Sequence, residues 1–96
     1  MMYLDYEHEG RPRKIGVHVV YQYDGAHPTD TTVALYPNAD LNSTPVCGSA
    51  LLHPSDTFCR PKGRKLAFER AVELFTQSTS HRAAIWKAFL QRVKVR

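Results

Sequence analysis

Four cations, Arg60, Lys62, Arg64 and Lys65, fall within six residues, and Arg70 follows five residues later. Guanidinium and ammonium groups at this density share one chemistry, the holding of phosphate or carboxylate through charge-assisted hydrogen bonds. Their position sharpens that reading. Placed at ~100° per residue, Ala67, Phe68, Ala71, Val72, Leu74 and Phe75 fall on one arc of a helix. Lys65, Glu69, Glu73 and Thr76 fall on the other, with Arg70 at the border. The cations therefore crowd the start of an amphipathic helix, where the backbone dipole is already positive and each costs ~0.3–1 kcal/mol unless an anion is near. Free N–H groups at a helix start, joined by basic side chains, form an anion site. The plainer reading is a solvated charged turn, with Arg70 pairing Glu73 and Lys65 pairing Glu69 for ~0.3 kcal/mol each. The expected binding set is Arg60, Lys62, Arg64, Lys65 and Arg70, with His27 reaching in from a loop.

Other reactive side chains form weaker patterns. Cys47, His53 and Cys59 are spaced Cys-x5-His-x5-Cys, with His27 or His81 as a fourth candidate ligand for zinc. The short Cys-x-x-Cys type of knuckle that anchors structural zinc is absent, and a thiol in a strand behaves as a small apolar residue. The expectation is no metal and no cofactor. Five histidines, two cysteines and several serines supply raw material for catalysis, but no Gly-x-Ser-x-Gly, His-Glu-x-x-His or phosphate loop organises them. The expectation is that the chain is not an enzyme. Tyr3, Tyr6, Tyr21, Tyr23 and Tyr36 either stack bases on an open sheet or complete the edge of the core with their hydroxyls in water. Trp86, Phe89 and Leu90 are a candidate protein interface whose alternative is packing within one chain.

The elements that must position these groups are read from periodicity. Residues 2–8 alternate as a short edge strand, and Gly10-Arg11-Pro12-Arg13 marks a turn. Residues 14–23 are the clearest strand: Ile15, Val17, Val19, Tyr21 and Tyr23 share one side, and His18, Val20 and Gln22 the other. Turn chemistry runs from Asp24 to Asp30. Residues 31–36 then return with Val33 and Leu35 inward. A polar loop between Pro37 and Pro45 precedes a further strand over 46–52. After the basic helix, Ser78 or Ser80 caps a second one that carries Ile85, Trp86, Phe89, Leu90 and Val93 on one face. The expected fold is α+β: an antiparallel sheet of three or four strands followed by two C-terminal helices.

Having reached that order, the chain resembles the later part of a double-stranded-RNA-binding domain. The likeness is carried by Gly25-Ala26-His27-Pro28 before the third strand and by Lys62-Gly63-Arg64-Lys65-Leu66-Ala67 at the helix start. It implies phosphate contacts from that start and groove contacts from the loop. The family's N-terminal helix is missing, and its Gly-Pro-x-His order is rearranged. The segment from His53 to Ala71 is also similar to a pattern in small bacteriophage accessory proteins, Pro-x-Asp-x-Phe followed by Gly-Arg-x-x-Ala-x-x-Arg-Ala. The resemblance implies a phage or prophage accessory protein, a class that includes inhibitors of host defence such as anti-CRISPRs, and it does not imply an enzymatic activity.

Length and composition agree with one small binding domain over residues 1–96. The chain has 43% hydrophobic and 23% charged residues, a net charge of +4 and a pI of about 9.3. Two cysteines are too few for a disulfide-stapled secreted fold. No apolar run approaches a membrane span, and the Met-Met-Tyr-Leu-Asp-Tyr-Glu start lacks the pattern of a signal peptide. The expected setting is the cytoplasm, with no membrane contact. The expected partner is nucleic acid or a host protein–nucleic-acid complex, bound without chemistry. The alternative is a protein–protein or homodimeric assembly module that uses the second helix.

Overall fold

The computed structural model describes residues 1–51 and 60–94. Four strands, β1 (Met2–His8), β2 (Arg11–Asp24), β3 (His27–Pro37) and β4 (Val46–Leu51), pair antiparallel in sequence order as a meander. Two helices, α1 (Arg60–Phe75) and α2 (Thr79–Lys94), follow, giving the expected α+β arrangement. Leu52, His53 and Cys59 lie outside the described residues, as does the Arg60 side chain.

The period-two alternation does what it predicts. Leu4, Ile15, Val17, Val33, Leu35 and Ala50 point to one face of the sheet and are buried. Both helices lie on that face, α1 over β3 and β4 and α2 over β1. Ala67, Phe68, Ala71 and Val72 from α1 and Ile85 and Phe89 from α2 complete the core. The Phe68 and Phe89 rings stack with centroids 4.0 Å apart, and Trp86 meets Phe68 edge-on at 4.9 Å.

Close approach sets where α1 lies. A Cβ on Gly48 would collide with the backbone of Ala67 and Ala71, so only glycine lets the helix rest on β4 there. One turn before Ala67, a Cβ on Gly63 would lie 2.9 Å from Oγ1 of the buried Thr31 on β3. Gly63, Ala67 and Ala71 thus form a four-residue repeat of small side chains against the sheet.

Several expectations need correction. The first turn is only Glu9-Gly10, with φ of 55° and 72°, and β2 begins at Arg11. Pro12 is tolerated because β3 has already ended, with Pro37 opposite Ile15, so the proline's missing N–H breaks no ladder on that side. The second turn is Gly25-Ala26, with glycine at φ 63°, the position that a two-residue hairpin reserves for it. His27 is therefore the first residue of β3 and does not lie in a loop. A register shift between Gln22 and Tyr23 passes over Thr29 of β3, and Tyr23, next to the hairpin tip, is exposed. Leu74 is 68% exposed, not part of the buried arc. It stands one turn beyond Arg70, which reaches the edge strand β4, so that side of α1 has no further strand to cover it.

Candidate functional site

Charge in this chain is divided between its layers. Residues 1–51 hold three Lys and Arg against six Asp and Glu, whereas residues 60–94 hold nine against two. Neither helix has an acidic residue in its first turn, and α2 has none along its length. The helices bury their apolar stripes on the sheet, so the polar faces turn outward. Lys62, Lys65 and Arg70 of α1 and Lys87 and Arg92 of α2 are exposed. Among the described residues one ion pair joins Lys14 and Asp5 at 3.8 Å, and His8 Nδ1 lies 3.6 Å from the Glu9 carboxylate, a pair charged only when the imidazole carries a proton; both stand at the β1–β2 end. The expected Arg70–Glu73 and Lys65–Glu69 pairs are absent among them.

The six residues expected to form the site are not equivalent. Lys62 and Lys65, one turn apart, both face solvent. Arg64 lies one turn before Phe68, on the side that faces the sheet. It is half-buried, and its Nε lies out of water without a hydrogen-bond partner among the described residues. Arg70 donates from Nη1 to the carbonyl of Ser49 at 2.6 Å. That bond ties α1 to β4 and occupies an acceptor on an edge strand that would otherwise invite a foreign strand. His27 is exposed near the tip of the β2–β3 hairpin. It sits four residues, about 13 Å along the strand, from Thr31, the residue that Gly63 approaches. The structure brings Lys62 and Lys65 together, turns Arg64 inward, and gives Arg70 a fastening role. His27 stands four residues along β3 from the point that α1 approaches.

The candidate protein interface divides as well. Phe89 is fully buried and has no surface to offer a partner, while Trp86 and Leu90 are partly exposed. No cluster of three or more metal-ligating side chains exists among the described residues. Cys47 is an exposed free thiol on β4.

The start of α2 holds a constellation that periodicity does not reveal. Ser78 caps the helix, its Oγ accepting from the His81 N–H at 3.3 Å. The His81 ring stacks on His8 of β1 with centroids 4.3 Å apart and planes 7° from parallel. Tyr6 Oη lies 2.8 Å from His81 Nε2, and Thr76 Oγ1 lies 3.2 Å from Nδ1. His8 Nε2 lies 3.3 Å from Ser80 Oγ. Burial, the neighbouring His8 and Arg13 push the His81 pKa below its ordinary value, against a smaller opposite pull from Glu9. Burial raises that of Tyr6, which keeps the phenol protonated. Arg82 donates to the carbonyls of Thr76 at 2.8 Å and Glu73 at 3.3 Å, closing the end of α1 with a cation where the dipole welcomes one. The available sequence signal was Tyr-x-His on β1, whose alternate residues share a face, but nothing local says that it meets His81.

Comparison with known proteins returns no match to a family model, a curated protein or a solved structure.

Proposed function

We propose that this chain is a non-enzymatic binding protein whose helical layer docks on the phosphates of nucleic acid, bare or held in a host nucleic-acid-processing complex. The observation that carries this reading is the excess of cations over residues 60–94, with Lys62 and Lys65 exposed and outside ion-pair distance of any described carboxylate. Cations so placed repel one another and the start of α1, a cost that a polyanion removes. Lys62 and Lys65 make the first contacts, and Lys87 extends the face onto α2. Binding occludes its target through charge-assisted contacts, with no bond made or broken. The resemblance to phage accessory proteins supports a setting in which occlusion of a host defence complex, as by an anti-CRISPR, is the task.

A salt titration of the purified chain against short RNA and DNA duplexes tests this. Affinity should fall linearly on a log–log plot, and Lys62→Ala and Lys65→Ala should each flatten the slope by about 1. No binding to either duplex at low salt overturns the proposal. In that case an acidic protein surface becomes the partner to seek. The assembly reading through α2 retains only Trp86 and Leu90, since Phe89 is committed to the core.

A further inference from the structure

The geometry points to an acid-operated latch: the stacked His8 and His81 rings fasten the first turn of α2 to β1 while neutral, and release it when both take a proton. The inference is independent of the nucleic-acid reading. Tyr6 and His8 come from β1, Phe75 from the end of α1, Thr76 from the connection, and Ser80 and His81 from α2. The fastening is long-range, with Tyr6 and His81 75 residues apart.

Neutral rings suit the site. A neutral imidazole has one N–H and one lone pair, so His81 completes two hydrogen bonds with the Tyr6 and Thr76 hydroxyls, each of which can donate or accept. Hydroxyls accept as readily as they donate, so one added proton leaves those bonds intact. The face-to-face stack is what fails on double protonation, because two cations would then lie 4.3 Å apart in a partly desolvated pocket. The charged groups that face the pair do not offset this. Arg13 on β2 and a protonated His8 both oppose a proton on His81, and the one favourable charge is Glu9. That carboxylate lies 3.6 Å from His8 Nδ1 and is 75% exposed, which leaves it screened.

The sign follows from linkage. His81 binds its proton less readily in the folded chain than in the unfolded one, whose value is about 6.5. The stability contributed by the neutral form is therefore whole above pH 6.5. It is lost as the pH falls through that value toward the lower folded one.

Amide hydrogen exchange on the full chain, expressed as protection factors from pH 7.5 to 5.0, tests the latch. Protection in the first turn of α2 should fall by about tenfold or more, while protection in the middle of α1 holds. His8→Phe keeps a stacked ring without a titrating charge and should reduce that fall to less than about twofold. An unchanged fall in His8→Phe, or a flat profile in the wild-type chain, overturns the latch. The His81 Cε1–H shift in the wild-type chain decides the matter even if the variant does not fold, read once in the folded chain and once in denaturant. A His81 transition at lower pH in the folded chain than in denaturant supports the latch, and one at the same or higher pH overturns it.

Discussion

The two helices of this chain begin in opposite ways. At α2 the helix start is closed by the molecule itself. Ser78 caps it, His81 is fixed from both ring nitrogens, and Arg82 turns back to close the end of α1. At α1 the described cations look elsewhere. Lys62 and Lys65 face water, and no carboxylate stands within ion-pair distance among the described residues. Both starts lack acidic residues, so the helix dipole is uncompensated by charge at each. The difference is that α2 satisfies its donors with neutral hydroxyls, whereas α1 adds positive charge. A helix start that spends its polar groups internally is structural; one that accumulates unpaired charge outward is available to a ligand.

The largest effects should come from changes that unseat both helices and so erase the comparison. Phe68→Ala removes the ring on which Phe89 stacks and which Trp86 meets edge-on. It should cost about 3–5 kcal/mol in denaturant unfolding, enough to unfold much of a marginal domain. Gly48→Ala drives a methyl group into the α1 backbone. It should cost about 1–3 kcal/mol or more, because backbone cannot move aside as a side chain can. A loss below about 0.5 kcal/mol in Gly48→Ala would mean that α1 does not rest on β4 as described, and in Phe68→Ala that the two helices do not share this aromatic core. Next in size, Ser78→Ala removes the cap of α2 and should cost about 1 kcal/mol. Its exchange signature should be confined to the first turn of α2, with α1 unaffected.

The sequence made the strands legible because one buried face imposes strict alternation, as at Ile15, Val17, Val33 and Leu35. It narrowed the cap of α2 to Ser78 or Ser80 because capping is local chemistry, and the structure selects Ser78. Turns were legible only in kind. Pro12 reads as a break because tolerance for proline depends on where β3 ends, which is a tertiary fact. Gly63 reads as part of a basic segment. Its spacing to Ala67 and Ala71 was visible, but the Gly48 and Thr31 surface that makes the spacing matter belongs to other strands. A helical wheel places Leu74 inward because it knows nothing of a sheet's width. Density of charge along the chain groups Arg64 with its neighbours because it does not report which side of the helix each cation occupies. The His8–His81 stack escaped altogether, since its members lie at opposite ends of the sequence and neither carries a motif.

The smallest expected effect is the most discriminating. Lys62→Glu replaces an exposed cation in the early part of α1 with an anion, at the end of the helix where negative charge is favoured. If the charge there has no ligand to serve, the substitution is a simple electrostatic repair. Without any ligand it should raise unfolding stability by about 0.3–1 kcal/mol at low salt, an increment that shrinks as salt is added. If the residue also contacts phosphate, the same variant should lose affinity for duplex nucleic acid, with the salt slope flattened by about 1. Opposite signs for stability and binding in one variant mark a position held in an unfavourable state for the sake of function. A gain in stability with binding unchanged would assign the basic start of α1 to solvent. A loss of stability would mean that Lys62 is already paired within the chain, and the contrast between the two helix starts would then disappear.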